Sequence, residues 1–278
     1  MIETGLINSN VKTVEWYAVS FLDILGQKNK LTILNNRSIS KEEIKIAISH
    51  TYGNIQKLRH NIKETYATFE KKTITNNPKY DSNKIKINSF SDAVVNYISL
   101  RDDINKIPFN GIYNLLLANG VVFLLKLYDE IPIRGGIDIG RGIEFNTNGY
   151  DELYGTALSN PYYIESNIAD YPRIVIGKRL YEHIYITSKI TSNKENDKIN
   201  RGMAEKCLNL IIQDKDGEYI IHYLSEIYQK IEGFDIFYKK AELFINNQLI
   251  LFNNKQSIKE YEKYKKLIKY FETYGVKK

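Results

Sequence analysis

The stretch AVSFLDILGQKNKL, residues 18–31, ends an apolar run on an aspartate, Asp23, three residues before Gly26. A second stretch, INSFSDAVVNYI, sets Ser91 and Asp92 between two runs of strand-forming residues. A carboxylate at the end of a buried strand needs a partner, because an unpaired buried charge is costly. Two carboxylates brought together repel, and one takes up a proton unless a cation shares the place. Magnesium or manganese suits such oxygen ligands and keeps positions open for waters and phosphates. Gly26 permits close backbone approach, and free N–H groups at a helix start attract phosphate. A divalent metal beside a phosphate cradle outlines a nucleoside triphosphate site.

Other chemistries find less support. His50, His60, His183 and His222 show no metal-ligand spacing, and Cys207 is the single cysteine, which argues against zinc and against a disulfide framework within one chain. No serine or cysteine sits in a nucleophile elbow. The glycine-rich run RGGIDIGRG lies inside an apolar strand and opens no helix, so it is not a dinucleotide fingerprint. Its glycines suit the close approach of a helix or a base.

The elements that must position Asp23 and Asp92 follow from periodicity. Residues 15–24 read as a strand, and residues 28–34 start a helix. Ser40 and Glu43 form a capping box before a long helix whose apolar positions are Ile44, Ile48, Tyr52, Ile55 and Leu58. KKTITNNPKYDSN reads as a loop. KIKINSF and DAVVNYIS are two short strands, GIYNLLLANGVVFLLKLYDE is an apolar helix, and IPIRGGIDIGRGIEF is a strand. YGTALSNPYYIESNIA begins with a turn and becomes a helix, and PRIVIG is a short buried strand. The order β-α-β-β-α-β is the ferredoxin-like split βαβ arrangement of an α+β fold. In such a sheet the first and third strands are neighbours, which lets Asp23 and Asp92 converge. Beyond residue 178, TSNKENDKINRG reads as a solvated loop, GEYIIHYLSEIYQKI as a strand running into a helix, and residues 258–274 as a basic amphipathic helix with an apolar stripe at 258, 261, 264, 268 and 271. The expected organisation is a split βαβ domain over residues 1–180, with a mostly helical extension, 181–278, packed on it.

Of 278 residues, 43% are apolar, as in an ordinary packed protein. The net charge of +6 is local, because residues 255–278 hold eight Lys and three Glu. No general nucleic-acid footprint remains, and the last helix is expected to pack on the body. No run of eighteen apolar residues and no secretory leader is evident, so a cytoplasmic protein is expected.

Four segments in order resemble class III nucleotidyl cyclases over roughly residues 15–180. FLDILGQ resembles their first metal motif, and INSFSDAVVNYI their second metal hairpin. RGGIDIGRG resembles their Gly-Ile-His-Thr-Gly strand, and LYGTALSNPYYIES followed by YPRIVIG their dimer-arm and helix segment. Bacterial cyclase-like proteins sharing FLDILG, RGGI and YGxAL segments are also similar. The resemblance implies Asp23, Asp92 and the Ile24 carbonyl as ligands of two Mg²⁺ or Mn²⁺ ions. It implies nucleotide contacts from Ile24, Leu25, Gly26, Gln27, Lys28, Ser91, Arg134 and Ser159. The family's Phe after Gly is Gln27 here, the Gly before its second Asp is Ser91, and the His of its glycine strand is Asp138. Ser159 stands where the family has its transition-state Asn, and Tyr163 where it has Arg. Arg134, Arg141 or Arg173 is then the candidate for the missing cation. The implied activity is cyclisation of a nucleoside triphosphate with release of pyrophosphate. The alternative is a nucleotide-binding sensor that kept the fold and lost turnover.

The resemblance also implies a homodimer, with Arg141 or the Tyr154–Tyr163 segment near the partner's Asp23. The helix over residues 112–127 is too apolar to stand uncovered, and either a second subunit or the C-terminal extension must bury it.

Overall fold

The computed structural model describes residues 13–76, 85–90, 93–101, 108–147 and 150–276. Strand β1 (Glu15–Ile24) leads through the short helix α1 (Gln27–Leu31) and a 3₁₀ turn into the long helix α2 (Lys41–Asn76). The hairpin β2 (Lys86–Phe90) and β3 (Ala93–Ser99) follows, then helix α3 (Pro108–Tyr128) and strand β4 (Ile133–Thr147). The first four strands lie in the order β2-β3-β1-β4, each antiparallel to its neighbours. That is the split βαβ order expected from the sequence.

Strand β1 forms because Trp16, Tyr17, Val19 and Phe21 suit a pleated surface. Its alternation then feeds two cores. Ala18, Leu22 and Ile24 join the large core beneath α3, while Tyr17 and Val19 join a small one on the opposite face. The Ser40–Glu43 capping box is present: the Ser40 N–H donates to the Glu43 carboxylate at 2.9 Å, and the Glu43 N–H donates to Ser40 Oγ at 3.2 Å. The buried stripe of α2 differs from the expected one. Leu58, Ile62 and Tyr66 are buried, whereas Ile48 and Tyr52 are exposed, because only the second half of α2 lies over α3 and the sheet. Helix α2 also continues through Asn76, into the segment expected as a loop.

After β4 the chain turns back as strand β5 (Tyr150–Gly155), which pairs with β4 where the sequence suggested only a turn. Helix α4 (Thr156–Asn167) then crosses the sheet on the glycine face of β4. A Cβ on Gly136 would lie 2.4 Å from the Pro161 carbonyl oxygen, and one on Gly140 would lie 2.6 Å from the Ala157 nitrogen. The glycine run therefore serves close helix approach. Strand β6 (Ile174–Ile176) adds parallel to β4.

The C-terminal part comprises helix α5 (Lys178–Ser188), helix α6 (Glu195–Leu208), hairpin β7 (Ile211–Gln213) and β8 (Tyr219–Ile221), and helices α7 (Glu226–Gln229), α8 (Phe234–Asn254) and α9 (Ile258–Tyr274). Strand β8 pairs with β6, so this part extends the same sheet to the order β2-β3-β1-β4-β6-β8-β7. Helix α6 replaces the solvated loop expected there, held down by Ala204 and Cys207, both fully buried. Helix α9 has the expected span, but its buried residues are Tyr264, Leu267, Tyr270 and Phe271, with Ile258 left exposed. Arg173, buried beside the β7–β8 turn, reaches Asp214 at 2.7 Å, Asp216 at 2.6 Å and Asp170 at 3.0 Å. It is a structural tie of that turn, not a free cation.

Helix α3 is apolar and long enough to cross a membrane by composition, yet most of it is enclosed by protein. Its cover comes from α2, α6 and α8, and the Tyr228 hydroxyl of α7 donates to the Leu116 carbonyl at 3.2 Å. The C-terminal part thus buries the helix, and the argument from α3 for a second subunit falls away.

Candidate functional site

Asp23 is the second-last residue of β1. Its Cα pairs with Ala93 of β3 on one side and with Arg134 of β4 on the other. Asp92 and Ser91 lie outside the described residues, but Asp92 is the chain neighbour of Ala93. The register therefore brings β3 to Asp23 at the residue that follows Asp92. Cross-strand partners point to one face of a sheet, so Arg134 and Asp23 share the α4 face.

On that face the Arg134 guanidinium sits between two carboxylates. Its Nη2 lies 3.7 Å from Asp23, and its Nε lies 2.5 Å from Glu165 of α4, a close ion pair without hydrogen-bond alignment. The Glu165 side chain is almost fully buried, while Asp23 keeps about a fifth of its surface open to solvent. Sequence reasoning gave Glu165 no role. The signal was present in YYIES, which matches the family's Arg-Leu-Glu-Ser run with Glu165 at its Glu.

The other expected residues divide. Ile24 is buried in β1, and Leu25 donates its N–H to the Pro132 carbonyl at 2.9 Å, which fixes the strand end against the α3–β4 connection. Gly26 is exposed at φ +82°, a left-handed turn that side chains disfavour, and α1 opens directly after it. Lys28 lies in α1, with its side chain outside the described part. The Gln27 side chain is buried and donates from Nε2 to the Thr51 carbonyl of α2 at 3.1 Å, so it ties α1 to α2.

Arg141 is seven residues from Arg134 along β4, roughly 23 Å away at strand rise. The odd spacing puts it on the other face, where its guanidinium lies over Trp16 at 5.2 Å. Within one chain it does not join Asp23. Ser159 is exposed on α4. With Phe21, Tyr154, Leu158 and Tyr162 it lines an open groove of about 580 Å³. Phe21 is two residues from Asp23 and so on the same face, and it meets Tyr162 edge to face at 5.3 Å.

Asp138, four residues beyond Arg134 on the same strand, serves a different end. Its Oδ1 accepts the Leu180 N–H at 2.9 Å at the start of α5, where the N-cap Gly177 offers no side chain. Burial pushes its carboxyl pKa up despite this bond and Arg179 at 3.6 Å. A carboxyl with a raised folded pKa costs stability above that pKa and none below the unfolded value. Asp138→Asn, which keeps the acceptor oxygen, is expected to be at least as stable as wild type at pH 7. That advantage should fade as the pH falls below the folded pKa, as urea unfolding at several pH values would show.

Among the described residues no three His, Cys, Asp or Glu side chains cluster as a ready metal site. The described donors at the β1 end, the Asp23 carboxylate and the Ile24 carbonyl, are nonetheless the hard oxygen type that Mg²⁺ and Mn²⁺ take; Asp92, expected as the second carboxylate, lies outside the described residues.

No family model matches the chain, and no curated protein matches it. Solved structures do. The monomeric guanylyl cyclase domain of the RhoGC fusion protein from the aquatic fungus Blastocladiella emersonii is 15% identical, with a TM-score of 0.45, covering 77% of this chain and 98% of that one. The catalytic core of a rhodopsin-guanylyl cyclase with converted specificity, in complex with ATPalphaS, is 16% identical, with a TM-score of 0.42, covering 63% and 84%. A class III adenylyl cyclase-like ATP-binding protein from Pseudomonas aeruginosa is 12% identical, with a TM-score of 0.44, covering 70% and 40%. The chain's own sheet order, β2-β3-β1-β4, is that of a split βαβ palm. With overlaps of this size, the reading of the palm's site rests on its own strand order and on the residues at the end of β1.

Proposed function

We propose that the chain is a metal-dependent nucleotidyl cyclase, with its nucleoside triphosphate site at the ends of β1 and β3. The observation that carries this reading is the register: Asp23 pairs with Ala93, the residue after Asp92. Asp23, Asp92 and the Ile24 carbonyl would hold the divalent ions. When bound, two such ions supply the charge that lowers the pKa of the ribose 3′-hydroxyl and neutralises pyrophosphate as the 3′-oxygen displaces it from the α-phosphorus. The Arg134 guanidinium faces the Asp23 carboxylate at 3.7 Å and opposes its charge. Gly26 clears the backbone turn beneath the phosphates, while Gln27 anchors α1 so that the turn keeps its shape. The groove of Phe21, Leu158 and Tyr162 gives a planar base an apolar place roughly 7 Å along β1 from Asp23.

A homodimer belongs to the same proposal. Tyr154, Tyr162 and Tyr163 are 72%, 53% and 60% exposed on β5 and α4, a cluster that a second palm would cover. In such a dimer Arg141, distant from Asp23 in its own chain, is available to the partner.

A second reading, a nucleotide-binding sensor without turnover, is favoured by the composition of α4. That helix, TALSNPYYIESN, carries no Lys or Arg, so it offers no cation to a transition state, and Arg134 is already held by Glu165. Incubation with each of four nucleoside triphosphates and manganese, read by mass spectrometry and light scattering, tests both. Pyrophosphate with a cyclic nucleotide from a particle of two chains is the expected result. Binding without product supports the sensor, and a single-chain particle that neither binds nor turns over nucleotide contradicts both.

A further inference from the structure

Between the β7–β8 turn and α9, three strands away from β1, lies a pocket of about 300 Å³ that shares no residue with the Asp23 groove. Its floor is aromatic. Tyr171 and Tyr270 are buried, Tyr274 packs on Tyr270 with ring centres 5.1 Å apart, and the Tyr270 hydroxyl is held by His222 Nδ1 at 2.8 Å. Its rim is basic, with Lys215 on the hairpin turn and Lys265, Lys266 and Lys269 on α9.

The lysines on that rim are not all ion-paired. Asp214 and Asp216, which also border the pocket, are engaged by Arg173, and Asp214 further accepts the Tyr171 hydroxyl. Lys265 reaches Glu262 at 3.4 Å, and Lys266 reaches Asp170 at 2.5 Å. Lys215 and Lys269 form no ion pair within 4.0 Å among the described residues, and they stand close enough to repel. Desolvation and this neighbouring ammonium lower the Lys215 pKa, against Asp214 and Glu272, which raise it. The buried Arg173 tie fixes the turn that carries Lys215, which keeps that lysine on the rim of the pocket with Lys269 of α9. An anion between them would relieve the repulsion, and a flat ring would fit the tyrosine floor.

We propose that this pocket binds a small phosphate monoester that carries a flat aromatic ring, the chemical class of the mononucleotides, with its ring against Tyr270 and Tyr274 and its phosphate between Lys215 and Lys269. A volume of 300 Å³ lies at the small end of ligand pockets, which suits one base, one sugar and one phosphate rather than a dinucleotide.

Calorimetry with AMP, CMP, GMP and UMP, their nucleosides and inorganic phosphate tests the proposal on wild type, Asp23→Asn and the double variant K215A/K269A. Both lysines are exposed, so the double variant is expected to fold, and K215R/K269R keeps the charge as a further control. At least one monophosphate should bind wild type, Asp23→Asn and K215R/K269R alike. It should bind K215A/K269A about tenfold or more weakly, and its nucleoside should bind wild type about tenfold or more weakly than the monophosphate does. The proposal is overturned by no monophosphate binding at millimolar concentration, by equal affinity in K215A/K269A, or by inorganic phosphate binding as tightly as the monophosphates. Binding lost in Asp23→Asn alone would assign the ligand to the β1 site and overturn it as well.

Discussion

Asp23→Asn is expected to raise the dissociation constant for a manganese–nucleotide complex at least about 100-fold, beyond what the loss of an outer partner of a metal site costs. Asparagine keeps the size of the side chain but removes the charge that a divalent ion requires. The fold should survive, because Arg134 retains Glu165, its closer partner at 2.5 Å against 3.7 Å for Asp23. Asp92→Asn should show a loss of the same order if the two carboxylates share the ions. Calorimetry on both variants, with unfolding midpoints as a control, checks this. An unchanged affinity in Asp23→Asn would remove the metal site from the end of β1.

The largest stability effect is expected at Gly136. An added Cβ there would come within 2.4 Å of the Pro161 carbonyl oxygen, 2.8 Å of Ile164 Cβ and 2.9 Å of the Glu165 nitrogen. Two of these are backbone atoms of α4, which cannot rotate away, so the helix must lift off the sheet. Gly136→Ala should therefore cost about 3 kcal/mol, the upper part of the usual range for overpacking. The shift also moves Glu165 away from Arg134, so nucleotide binding should weaken together with stability. Gly53 provides the opposite case. It lies inside α2 with nothing within 4 Å of an added Cβ, and Gly53→Ala should stabilise the protein by about 0.5–1 kcal/mol. Urea denaturation of both variants checks the contrast in sign.

The sequence made the β1 end legible because its signals are local. An apolar alternation ending in aspartate, a glycine two residues after Ile24 and the split βαβ order suffice to set β1 beside β3. The Ser40–Glu43 cap and the span of α9 were legible for the same reason. What the sequence did not show falls where a distant contact decides. Gln27 turns inward to meet Thr51, 24 residues away. Arg134 and Arg141 lie on one strand, and only register and parity against β1 separate the arginine beside Asp23 from the one over Trp16. Helix α6 has a polar sequence, yet it is held by a few small buried residues under α3 and α5. The cover of α3 was left open between two sources, because an apolar helix shows that it must be buried and not what buries it.

The central claim is that Asp23 helps hold a divalent ion at the ends of β1 and β3. Crystals grown with manganese and a non-hydrolysable nucleoside triphosphate analogue, measured at a wavelength where manganese scatters anomalously, test it most directly. The account predicts an anomalous peak with Asp23 and Asp92 oxygens at about 2.0–2.6 Å, the range of oxygen ligands to hard divalent ions. Bound analogue with no peak at Asp23, and with Asp23 still facing Arg134 alone, would contradict it.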